Sequence, residues 1–110
     1  MNYTWHIYKL GLKDQINNDG QLLEDAIVSV KWKKIATDTD GTRSSYVSET
    51  ELSAAAVSVS DFVSLSSVTK EMVVGWIKSA INPTDMAKID SILASKIERA
   101  RVRVYNPGWN

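Results

Sequence analysis

Residues 66–81, SSVTKEMVVGWIKSAI, constrain the chain more than any other stretch. Met72, Val73, Trp76, Ile77, Ala80 and Ile81 fall in adjacent pairs that recur every fourth residue. That spacing lays one apolar face along a helix. Lys70, Glu71, Gly75, Lys78 and Ser79 take the other side. Thr69 is placed to cap the helix, since its hydroxyl can accept from a free N–H of the first turn. Val68 and Val73 flank it as a hydrophobic staple. Glu71 and Lys78 sit on the favourable ends of the helix dipole. Each large apolar side chain buried here would contribute ~1.5–3 kcal/mol. The helix is therefore expected to close a small core.

The rest of the chain supplies the layer beneath it. Residues 2–12 alternate and read as an aromatic-rich strand. Tyr3, Trp5, Ile7 and Lys9 point one way, and Thr4, His6, Tyr8 and Leu10 the other. Residues 13–20, KDQINNDG, read as a loop. In a second strand within 21–37, Ala26, Val28, Val30 and Trp32 share one face, with Ile27, Ser29, Lys31 and Lys33 opposite. Asp38-Thr39-Asp40-Gly41 supplies a turn. Residues 42–52 form a Ser/Thr-rich return suited to a sheet edge. Alternation at Val57, Val59 and Phe62 suggests a short further strand, while Ala54–Ala56 fit helix or strand. After Asn82-Pro83, a cap followed by a first-turn proline, residues 84–100 carry Met86, Ile89, Leu93 and Ile97 at helical spacing. Asp85, Lys88, Asp90, Ser91, Lys96 and Glu98 form its polar side. Arg99 to Tyr105 could be a short strand or a fraying helix end. The expected fold is α+β: an antiparallel meander of three or four strands with two C-terminal helices packed on one face. A single domain would span 1–105, with 106–110 as a tail.

Composition excludes several kinds of chemistry. The 110 residues contain 13 basic and 13 acidic side chains, so no net charge draws the chain toward nucleic acid or an anionic membrane. With no cysteine there is no disulfide, thiolate metal site or cysteine nucleophile. No signal-peptide pattern opens the sequence. No apolar run approaches the ~20 residues that span a bilayer. His6, the one histidine, has no nucleophile and acid arranged around it in sequence. Residues 38–41 resemble the start of a calcium loop, but Gly41 stands fourth rather than sixth, although Glu49 is twelfth. A hairpin turn is the simpler reading. No catalytic residue, cofactor or metal is expected.

The candidate interaction residues are Trp109, Tyr105, Tyr46, Arg101 and Arg103. Arg99, Arg101 and Arg103 would share a face if extended. Trp5, Trp32 and Trp76 sit on apolar faces and read as core. Trp109 follows Pro107-Gly108, and either folds back or docks on a neighbour.

Tyr3-Thr4-Trp5, Val30-Lys31-Trp32, the Asp40-Gly41 turn and above all residues 69–78, TKEMVVGWIK, carry a resemblance. In that order they are similar to a family of small, uncharacterised proteins of tailed bacteriophages, prominently those of marine cyanobacteria. Its typical members begin near Tyr-Thr-Trp, contain Leu-Thr-Glu-Glu-x-Val-x-Gly-Trp-Ile and end close to Pro-Trp. This chain departs at Val68-Thr69-Lys70 and at Pro107-Gly108-Trp109. The resemblance implies a non-enzymatic accessory protein of the virion, a capsid decoration, knob or tail piece, made in the host cytoplasm. Its implied partners are phage structural proteins, and a second copy of the chain is a further candidate. Membrane and nucleic acid are not expected. The alternative is a small phage protein that binds and modulates a host enzyme or nucleic acid.

Overall fold

The long central strand sets the architecture. The computed structural model describes residues 1–54, 57–103 and 105–109. Strand β1 (Asn2–Ile16), β2 (Leu22–Thr37) and β3 (Arg43–Glu51) form an antiparallel sheet in the order β1-β2-β3. Helices α1 (Lys70–Ala80) and α2 (Pro83–Ala100) pack on one face of it. This is the expected α+β meander, with three strands.

β2 dictates which face is covered. Val30, Trp32 and Ala36 alternate inward and are fully buried. They meet Val73 and Ile77 of α1 and Ile89, Leu93 and Ile97 of α2. The Trp32 Nε1–H donates to Thr50 Oγ1 at 2.9 Å, so its one polar atom is satisfied inside the core. Trp5 lies across Trp32 with ring centroids 5.1 Å apart. Both helix starts follow local rules. The Met72 N–H donates to Thr69 Oγ1 at 3.3 Å, and the Asp85 N–H to Asn82 Oδ1 at 2.8 Å.

Four expectations are corrected. β1 runs to Ile16 rather than ending at Leu12, because the polar residues 13–15 lie on an edge strand with only one neighbour, where polar side chains are tolerated. Leu10 joins Trp5 and Ile7 against the core rather than facing away. A bulge at Tyr8, between the pairs Ile7↔Trp32 and Lys9↔Lys31, shifts the alternation by one residue. Among the described residues of 53–64 there is no strand. Side chains take up that backbone instead: Gln15 Oε1 accepts from the Ala54 N–H at 3.1 Å, and Asn17 Nδ2 donates to the Val57 carbonyl at 2.8 Å. Residues 55 and 56, part of the Ala54–Ala56 ambiguity, lie outside the described residues. Finally, Met72 is exposed and Trp76 half-buried, so Val73 and Ile77 alone form the buried contact of α1.

A second, smaller core stands at the other end of β2. Leu23, Ala26 and Ala54 are buried there, with Val57 and Phe62 packed on them. Between the two cores β2 makes two further bulges, at Val28 and at Glu24-Asp25. Asp25 takes the left-handed conformation, φ 51°. Its N–H is held by Asp14 Oδ1 at 2.9 Å. The molecule is elongated, 70 × 30 × 26 Å, with a radius of gyration of 19.1 Å. A compact chain of this length has about 13 Å.

Candidate interaction surfaces

Three surfaces remain outside the two cores. The first is the tail. α2 ends at Ala100, and Arg101 is its C-cap in right-handed conformation rather than the start of a strand. Arg101 pairs with Glu98 and reaches across to Asp38 and Asp40 in the β2–β3 turn. Its hydrogen bond lowers the Asp38 carboxyl below the ordinary 3.8, with help from the Thr39 N–H. Asp40 is lowered chiefly by the N–H and hydroxyl of Thr42. Asp38 in turn raises the Arg101 guanidinium. The carboxylates of the apparent calcium-loop start therefore hold an arginine and a turn, and Gly41 completes that turn at φ 86°. Beyond this anchor, Val102, Tyr105 and Trp109 are exposed by 69%, 83% and 87%. Trp109 thus does not fold back on the domain. Arg103 is exposed as well.

The second surface is a groove beside the smaller core. It encloses about 410 Å³ between β2, residues 52–68 and α1. Ile27, Leu52, Val57, Phe62, Val68 and Trp76 form its apolar wall, and Asp25 and Asp61 stand at its edge. No basic side chain lines it among the described residues. The half-exposed face of Trp76 opens here. That explains why a tryptophan on the apolar side of α1 is not fully covered.

The third is the sheet face away from the helices. Pairing puts His6, Lys33 and Val47 in one row across it, and Lys9, Lys31 and Glu49 in the next. His6 meets Tyr8 edge-on at 4.6 Å, and Lys33 lies over the Tyr8 ring at 5.6 Å. His6 is therefore a surface strand residue. Among the described residues no group of three or more His, Asp or Glu side chains could hold a metal. No described helix is long and apolar enough to cross a membrane.

Of the five candidate interaction residues, Trp109, Tyr105 and Arg103 share the exposed tail. Arg101 is committed to the turn at its base. Tyr46 stands apart on β3, half-buried with its ring 6.0 Å from that of Trp32. Sequence reading missed the groove, and also a charged pair. Lys34 is buried with its Nζ 2.6 Å from Asp90 Oδ1, between the rings of Tyr3 at 4.5 Å and Trp5 at 5.2 Å. Asp90, assigned to the polar side of α2, turns to the sheet to meet it. The signal was present in β2, where Lys34 shares parity with Trp32 and Ala36.

A family model described as a domain of unknown function, DUF7936, matches residues 1–109. The chain belongs to the DUF7936 family. Comparison with curated proteins finds no match, and neither does comparison with solved structures. The DUF7936 match takes in both helices, the groove and the tail as far as Trp109.

Proposed function

We propose that this DUF7936 protein is a non-enzymatic contact module, a structural or accessory component of a bacteriophage particle that works by protein–protein contact. The observation that carries the contact role is the tail. An indole left 87% exposed beyond a firmly anchored Arg101 contributes little to the chain's own fold. Buried tryptophans are the strongest anchors in protein interfaces. The phage setting is supported by the resemblance of residues 69–78 and of the Tyr-Thr-Trp opening. Mass spectrometry of purified particles tests it: the chain should be present at stoichiometric copy number. Particles that lack it, while infected cells contain it, would refute the virion role.

One observation favours the alternative, modulation of a host enzyme or nucleic acid. Lys33 lies over the Tyr8 ring on the uncovered sheet face, and Lys9 and Lys31 pair in the next row beside Glu49, an arrangement that could stack a base and neutralise phosphates. Balanced net charge opposes it. Fluorescence anisotropy with single-stranded oligonucleotides at low salt decides, because the electrostatic contribution is largest there. Affinity that is lost in Lys31→Glu/Lys33→Glu would favour this second reading.

A further inference from the structure

We infer that the groove beside Trp76 is a receptor for the tail of a second copy of this chain, with Trp109 as the inserted group. The inference deepens the contact role proposed above and rests on the tail being a contact element.

Chemistry matches the two surfaces. The groove is apolar, with an indole face on one wall and Asp25 and Asp61 at its edge. The tail offers Tyr105 and Trp109 as exposed rings, and from residue 101 to 109 it carries Arg101 and Arg103 and no acid. Arg101 is already paired, which leaves Arg103 as the cation for the groove's carboxylates. A cavity of about 410 Å³ falls in the range of pockets that bury a ligand of this size, ~300–1,000 Å³.

The tail as folded does not enter its own groove, since Trp109 is exposed by 87%, and only a nearly straight tail would approach it. Arg101 fixes the tail at the Asp38–Asp40 turn. Eight residues from there to Trp109 span at most about 28 Å fully extended. Eleven residues of β2 separate Asp38 from Ile27 at the groove, about 36 Å along the strand. The tail is also not straight: Gly108 takes φ 72°, and its N–H donates to Asn106 Oδ1 at 3.0 Å. Two surfaces that fit each other but stand about eleven β2 residues apart on one molecule meet between copies. A one-way contact of this kind propagates, and a reciprocal one closes a dimer.

Sedimentation velocity of the full chain, from roughly 1 to 300 µM, tests the inference. The weight-average sedimentation coefficient should rise with concentration. Trp109→Ala should weaken association about thirtyfold or more, as loss of a buried tryptophan anchor does. Ala80→Trp should do the same from the groove side, since Ala80 is an exposed helix residue on the groove wall. Mixing the two variants should restore dimers, because one keeps its groove and the other its tail. Asp61→Arg should weaken association, and Arg103→Asp should restore it. Circular dichroism melts confirm that each variant is folded. Monomeric behaviour at every concentration, self-association unchanged by Trp109→Ala, or mixed variants that stay monomeric would each overturn the inference. The first of these outcomes leaves a contact role toward other partners standing, and particle proteomics tests that role separately.

Discussion

Asp90→Ala should cost more stability than Lys34→Met, although it removes the more exposed member of the pair. The Lys34 side chain is 6% exposed and that of Asp90 35%. Lys34 Nζ sits 2.6 Å from Asp90 Oδ1 and 3.5 Å from Met86 Sδ, against the faces of Tyr3 and Trp5. Deleting the carboxylate strands an ammonium in that cage. Loss of one partner from a fully buried pair costs ~3–5 kcal/mol. Water can enter where Asp90 stood, and each ring face retains about 0.5–1 kcal/mol of attraction for the cation. The expected loss is therefore about 2 kcal/mol, a fall of about 8 °C in Tm for a chain of this size. Lys34→Met keeps the apolar stem and leaves Asp90 at a surface that water reaches, so it should cost below about 1 kcal/mol. The double variant should resemble Lys34→Met, giving a coupling energy of about 1–2 kcal/mol. Urea unfolding with a shared slope measures all four proteins. If Lys34→Met costs more than Asp90→Ala, or if the two effects add, the ammonium is not held by this carboxylate.

Other perturbations separate core from surface. Trp32→Ala removes a fully buried ring and its bond to Thr50, so about 3–5 kcal/mol should be lost in urea unfolding. Trp76→Ala, at the groove, should cost only about half as much; equal losses would mean that the groove is closed in solution. Deleting residues 106–110 should leave Tm almost unchanged in a calorimetric scan at concentrations where the chain is monomeric, since Trp109 is exposed and exposed ends carry little stability. Acid should weaken the fold through Asp38 and Asp40. Their folded values lie below 3.8, so the contribution is present above that pH and is lost as pH falls through the lowered values. Arg101→Ala should flatten the fall in urea midpoint between about pH 4 and pH 2. An unchanged pH slope would place the charge–charge contact elsewhere.

The parts that were legible in sequence are those fixed by neighbours in sequence. Thr69 and Asn82 cap their helices because the cap and the N–H it satisfies lie three residues apart. β2 shows its buried side because Val30, Trp32 and Ala36 repeat at two. That same parity points Lys34 inward, but its partner lies 56 residues on, on a helix face that looks uniformly polar. Gly11 hints at the irregularity beside it, where the register shifts between Gly11 and Leu12, but the bulge at Tyr8 escapes this kind of reading. One extra residue at Tyr8 turns Leu10 to the core, and nothing in the residues around Tyr8 marks the slip. Residues 53–64 mislead for a different reason: Val57 and Phe62 pack on Leu23 and Ala26 as a covering loop, whose polar backbone is met by Gln15 and Asn17 rather than by a ladder. The two halves of the candidate site divide along the same line. Trp109 announces itself, an aromatic after Pro-Gly beyond the last helix. The groove draws its wall from β2, a long loop and α1, and a surface shared among three distant segments has no local pattern. What joins them is the anchor at Arg101. It ties the end of α2 to the turn at one end of the sheet, and so directs the tail away from its own groove and leaves Trp109 exposed.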